Sequence, residues 1–174
     1  AGECFMPLAV GGGVKTLEDF HWLIGAGADK VVLGRVALAL PQIVTDASKK
    51  CGAQAVVASL AVYKGWQAFA DEGPATWAKA LERLGAGEIL LQSVERDGTL
   101  SGYDLDMIAA VSRAVSIPVI ASGGCGTYEH MAAALRAGAH AVAAGAMFQF
   151  TDQTPQGAAK YLQHCGFNMR VEVA

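Results

Sequence analysis

Short continuous apolar runs alternate along the chain with longer stretches whose apolar residues recur every three to four positions. Phe5–Val10, Lys30–Leu33, Ala55–Val62, Glu88–Ser93, Pro118–Ser122 and Ala141–Ala144 read as strands. Amphipathic stretches around 16–26, 41–51, 75–86, 104–115, 127–137 and 155–165 read as helices. Apolar strands without clear alternation are what a parallel sheet buries under helices. Six βα units in a row predict a parallel α/β fold, with 1–174 as one domain. Pro41 suits the first turn of its helix, where no N–H is needed. Gly25, Gly27, Gly85, Gly87 and Gly138 follow helices, where left-handed caps are common. Tyr63–Pro74 is longer than the other connections after strands. It has the length of a loop that covers a ligand, or of a plain surface loop.

The chain repeats itself at an interval of 111 positions without a gap. Pro7 falls on Pro118, Gly12 and Gly13 on Gly123 and Gly124, Thr16 on Thr127, and Gly34 on Gly145. Ten of the 29 positions from 7 to 35 are identical, through a whole strand–GG–helix–strand order. Any two βα units share glycine and apolar residues, but a match this dense favours duplication. The interval spans four units, so two halves make a barrel of eight. The reading is an incomplete (β/α)₈ barrel of about six units, truncated by its first two.

Composition narrows the function. Hydrophobic residues make up 53% of the 174, with 21 Gly, as buried strands and tight loops require. The net charge is −3 and no basic stripe occurs, so nucleic acid is not an expected partner. No apolar run reaches membrane-spanning length and no signal pattern opens the chain. Cys4, Cys51, Cys125 and Cys165 are scattered, which reads as reduced thiols and a cytoplasmic setting. The four His are isolated, so neither a metal site nor a cofactor is expected.

Gly11–Gly13 and Gly123–Gly124 each close a strand on the face where barrels bind ligands. Glycines there let backbone N–H groups approach a phosphate. Two copies related by the repeat imply two phosphate sites across one mouth, hence a long substrate phosphorylated at both ends. Asp97, in Gln92–Thr99 after another strand, is placed to exchange protons with substrate. Taken alone, an ordinary Asp-Gly turn is the simpler reading.

Phe5-Met6-Pro7-Leu8-Ala9-Val10-Gly11-Gly12-Gly13, Gly87-Glu88-Ile89-Leu90-Leu91, the run Arg96–Asp104 and Ile120-Ala121-Ser122-Gly123-Gly124 resemble the cyclase subunit of imidazole glycerol phosphate synthase. The resemblance runs from that family's third strand to its end. The phosphoribosyl-formimino isomerase of the same pathway shares the repeat and the Arg-Asp-Gly-Thr motif. The Ser-Gly-Tyr-Asp continuation favours the cyclase. The resemblance implies a lyase that takes a bisphosphorylated, nucleotide-like substrate and ammonia and closes an imidazole ring in histidine biosynthesis. It also implies a glutaminase subunit docked on the opposite face, feeding ammonia through the barrel. By the same resemblance Gly13 contacts one phosphate, and Gly98, Gly124 and Gly145 the other, with Ser93 and Asp97 beside the substrate. Lys30 and Glu88 match the charged ring where ammonia enters, and Asp29 the glutaminase interface.

The chain departs from that pattern where chemistry is done. The fifth-strand Asp position is Ala61, and a methyl group moves no proton. The Asn-Thr pair expected at one phosphate is Gly34-Arg35, and Arg35 would meet an anion by charge. The Ser expected at position 146 is Ala146. Two alternatives therefore stand beside an impaired cyclase. One is a cyclase-like paralogue that conducts ammonia for bacterial surface-glycan amidation, which Glu3–Pro7 and Ala143-Ala144-Gly145 resemble. The other is a phosphate-binding remnant without chemistry.

Overall fold

The computed structural model describes residues 6–63 and 73–169. Six strands, β1 (Ala9–Gly11), β2 (Lys30–Leu33), β3 (Val56–Val62), β4 (Glu88–Ser93), β5 (Val119–Ser122) and β6 (Ala141–Val142), form one sheet. They pair in chain order and all in parallel. Helices α1 (Leu17–Gly25), α2 (Arg35–Ala39), α3 (Gln42–Cys51), α4 (Pro74–Leu84), α5 (Leu105–Ser112), α6 (Tyr128–Arg136), α7 (Ala146–Phe150) and α8 (Pro155–His164) fill the connections. The sheet curls into part of a (β/α)₈ barrel. Among the described residues, β1 and β6 each leave one edge unpaired.

Local chemistry explains where the helices start. Thr16 accepts from the Asp19 N–H at 3.1 Å, while Asp19 Oδ2 accepts from the Thr16 N–H at 3.0 Å and the Lys15 N–H at 2.9 Å. This capping box satisfies N–H groups that the helix cannot. Thr127, its repeat counterpart, accepts from the His130 N–H at 3.4 Å. Asp104 caps α5 through the Met107 N–H at 3.0 Å, and Pro74 opens α4.

Strand side chains alternate between two unequal faces. Val31, Leu33, Ala58, Leu60, Ile89, Leu91, Val119 and Ala121 point to the helices and are buried with Phe20, Val44, Leu81, Ile108 and Met147. Fully burying side chains of this size stabilises by about 1.5–3 kcal/mol each. Lys30, Val32, Ser59, Ala61, Leu90, Gln92, Ile120 and Ser122 point the other way, into the barrel, and none is fully buried, although Val57 on the same face is.

The duplication is visible in the elements. Shifting the bounds of α1 by 111 positions gives those of α6, and shifting those of α2 gives those of α7. Neither α2 nor α7 was expected from the sequence, because five residues are too few to show a helical period. Three further expectations need correcting. The first strand begins at Ala9, not near Phe5, which lies outside the described residues. The Leu8 N–H goes instead to Asp29 Oδ2 at 2.8 Å. β6 ends at Val142, not Ala144, as an edge strand with a single neighbour. Gly25 and Gly87 are not left-handed. A Cβ on Gly87 would lie 2.2 Å from the Ala53 carbonyl oxygen, so close approach is what requires glycine there. Most of the Tyr63–Pro74 connection lies outside the described residues.

Candidate functional site

Parallel strands bring all six C-terminal ends to one face, the mouth. After β1 comes Gly11–Gly13, and after β2 and β6 come Gly34 and Gly145 at the N-termini of α2 and α7. No side chain caps either short helix, so their first N–H groups point out unclaimed by a cap. Short extra helices of this kind hold phosphate in many barrels. A Cβ on Gly13, Gly34, Gly98 or Gly145 would meet nothing within 4 Å, so the space beside each is open. Arg35, the first residue of α2, is exposed at the same mouth.

Gly124 is different. A Cβ there would lie 2.3 Å from the Gly102 carbonyl oxygen and 2.9 Å from Arg96 Cβ. The Gly102 N–H donates to the Gly124 carbonyl at 2.7 Å. The loop after β5 is thus packed backbone to backbone against the loop after β4. Close packing therefore already requires this glycine, whatever ligand its N–H also meets.

Asp97 stands exposed at the mouth, in the turn that follows β4. Gln92, on the inner face of β4, donates from Nε2 to Asp97 Oδ2 at 3.0 Å and pairs in register with Ala61 of β3. The position where the resemblance implied an Asp is therefore next to the residue that holds Asp97. Gln92 was missed because a strand-end Gln carries no motif; the inward period of β4 was the available signal. Ser93 is buried at 4%, and its carbonyl accepts from the Asp97 N–H at 3.1 Å.

Behind the β5 loop, the Tyr103 hydroxyl donates to the Ala143 carbonyl at 2.9 Å, and the Cys125 thiol lies 3.7 Å from Met147 Sδ. Burial pushes the pKa of Tyr103 upward, and its hydrogen bond with Cys125 adds to that. Burial also pushes the Cys125 thiol up. Both stay protonated and serve as packing and hydrogen-bonding groups, since the thiolate is the nucleophilic form.

At the opposite face, Lys30 and Glu88 form an ion pair across β3, with side chains 30% and 20% exposed. Asp29 is exposed beside them and is tied to the start of β1 through Leu8. Lys30 and Glu88 are thus brought together, whereas Gly13, Arg35, Asp97, Gly98, Gly124 and Gly145 lie around the mouth. Among the described residues no group of His, Cys, Asp or Glu is arranged to hold a metal ion, and no helix is long and apolar enough to cross a membrane. Cys51, Cys125 and Cys165 are free thiols.

A family model described as histidine biosynthesis protein matches residues 1–154. The duplicated βα units, the glycine loops at the mouth and the parallel barrel order agree with that match. The chain belongs to the histidine biosynthesis protein family.

Proposed function

We propose that this chain is a cyclase-type barrel that holds a doubly phosphorylated, nucleotide-like ligand at its mouth and is impaired in ring closure. The observation that carries this reading is the pair of open glycine and short-helix cradles, at Gly13–Gly34 and at Gly145, repeated 111 positions apart. Backbone N–H groups and helix ends there favour anions, and Arg35 adds a full positive charge to the first cradle. Gly98 and Gly124 would complete the second, with Ser93 and Asp97 beside the reacting part of the ligand. Asp97, oriented by Gln92, is the carboxylate at hand for proton transfer. Ala61 leaves the place of a second one empty of chemistry.

A second reading is favoured by one contrast: the proton-transfer position is Ala61, while the Lys30–Glu88 pair is intact at the other face. Lys30, Glu88 and Asp29 would then receive ammonia from a docked glutaminase, and the barrel would conduct it toward a surface-glycan sugar amidation. In either role the partner is a glutaminase subunit and the setting is the cytoplasm.

The test is calorimetric titration of the chain with a ligand phosphorylated at both ends, and with each singly phosphorylated half. Tighter binding of the bisphosphate than of either half supports two cradles. Equal binding of all three ligands sinks the reading.

A further inference from the structure

A cavity of about 400 Å³ lies outside the barrel, between the loop after β4 and helices α5 and α6. It shares the loop after β4 with the mouth but uses none of the cradle glycines at Gly13, Gly34 or Gly145. Its size is at the lower end of small-molecule sites, which run from roughly 300 to 1,000 Å³.

Charges of both signs line this cavity without neutralising one another. Arg96 lines it, and its Nη1 donates to the Gly102 carbonyl at 3.3 Å. His130 of α6 lines it as well. Its Nδ1 accepts from the Gly126 N–H at 3.2 Å, so the neutral ring carries its proton on Nε2, beside Gly102. Asp104 and Asp106 line the cavity at the start of α5. Asp104 spends Oδ1 on the Met107 N–H, and Asp106 is exposed. Among the described residues, no ion pair joins Arg96 to either carboxylate. Leu105 and Ala133 supply a small apolar strip.

Donors and carboxylates that line one cavity without an ion pair between them are complementary to a small molecule charged at both ends. We propose that this cavity binds a free amino acid. Its carboxylate meets Arg96 and the Nε2–H of His130, its ammonium meets Asp104 and Asp106, and its side chain lies along Leu105 and Ala133. A phosphate alone would satisfy only Arg96 and His130 and would share the cavity with two carboxylates. Because Gly102 and Arg96 also press on Gly124, the occupant braces the loop after β5 from behind.

The experiment is calorimetric titration of the full chain with L-alanine, L-leucine and L-glutamine. N-acetyl-L-alanine, which lacks the ammonium, L-alaninamide, which lacks the carboxylate, and inorganic phosphate serve as comparisons. Binding of at least one amino acid is expected, with the alanine derivatives weaker than alanine. Arg96→Gln and Asp106→Asn should each weaken amino-acid binding by roughly tenfold or more, as loss of a charge-assisted contact does. Asp106 is exposed and unpaired, so its variant keeps the fold, as circular dichroism would verify. No heat from any of the three amino acids overturns the proposal. So does equal binding of alanine and its amide, or unchanged affinity in both variants.

Discussion

At the residue scale, two glycines that look alike in the sequence have different roles. Gly145 opens onto empty space, whereas Gly124 is wedged against Gly102 and Arg96. Gly145→Asp should therefore lower affinity for inorganic phosphate while leaving the unfolding midpoint nearly unchanged, since it puts a carboxylate where the anion sits. Gly124→Asp should instead destabilise the chain, because its left-handed backbone, at φ +98°, and the packed loop both resist a side chain. Paired phosphate titration and urea unfolding separate the two effects; equal loss of stability would contradict the packing argument. A second residue-scale effect concerns pH. Backbone hydrogen bonds from Lys15 and Thr16 hold the Asp19 carboxyl below its usual range. A lowered folded-state pKa contributes stability above the unfolded value, roughly 3.9, that is lost as pH falls through the folded value. Asp19→Asn should flatten this part of the acid-unfolding curve. An unchanged acid limb would show that the cap carries no such linkage.

At the element scale, the difference between the two faces of the sheet is measurable. Leu91 is buried under the helices, and its neighbour Leu90 points into the half-open barrel. Leu91→Ala should cost about 2–5 kcal/mol in urea unfolding and Leu90→Ala clearly less. Equal costs would mean that the inner face is as well covered as the outer one. This scale also shows what could be read from the sequence. β2 and β4 begin and end where the apolar runs do, and the six long helices fall within a few residues of their amphipathic stretches, because period and capping residues are local signals. The first strand was placed too early, because Met6–Leu8 are as apolar as a strand but the Leu8 backbone is bonded to Asp29 and Lys30. Helices α2 and α7 left no periodic signal, although the repeat had already marked Gly34 and Gly145. The mouth was legible as two glycine loops. The Gln92–Asp97 contact was not, since it depends on the register of β4 and the fold of the turn after it. The amphoteric cavity between α5 and α6 likewise needs two elements packed together before its charged residues line one space.

At the scale of the whole molecule, the open sheet governs behaviour. Among the described residues, β1 and β6 each leave one edge unpaired, and Trp22 on α1 and Phe150 on α7 are 72% and 76% exposed on elements beside those edges. Unpaired edges and exposed apolar surface favour association. The 174-residue polypeptide should therefore run as an oligomer in size-exclusion chromatography with light scattering. Adding a fragment that carries the first two βα units of a family member should shift it toward a one-to-one complex. A monodisperse monomer with a single cooperative melt would contradict this.

On the proposed reading, the mouth still binds its ligand while ring closure is lost. A positioned acid or base contributes about 10²–10⁴-fold to a proton-transfer step. Here the position expected to supply one carboxylate is Ala61, in register with Gln92. The most direct measurement is consumption of the bisphosphorylated substrate with ammonium chloride, which bypasses any glutaminase, alongside binding of the same substrate. Saturable binding without detectable imidazole product is expected, with no rescue by Ala61→Asp alone. Turnover by the unmodified chain at a rate near that of an intact cyclase would contradict that reading.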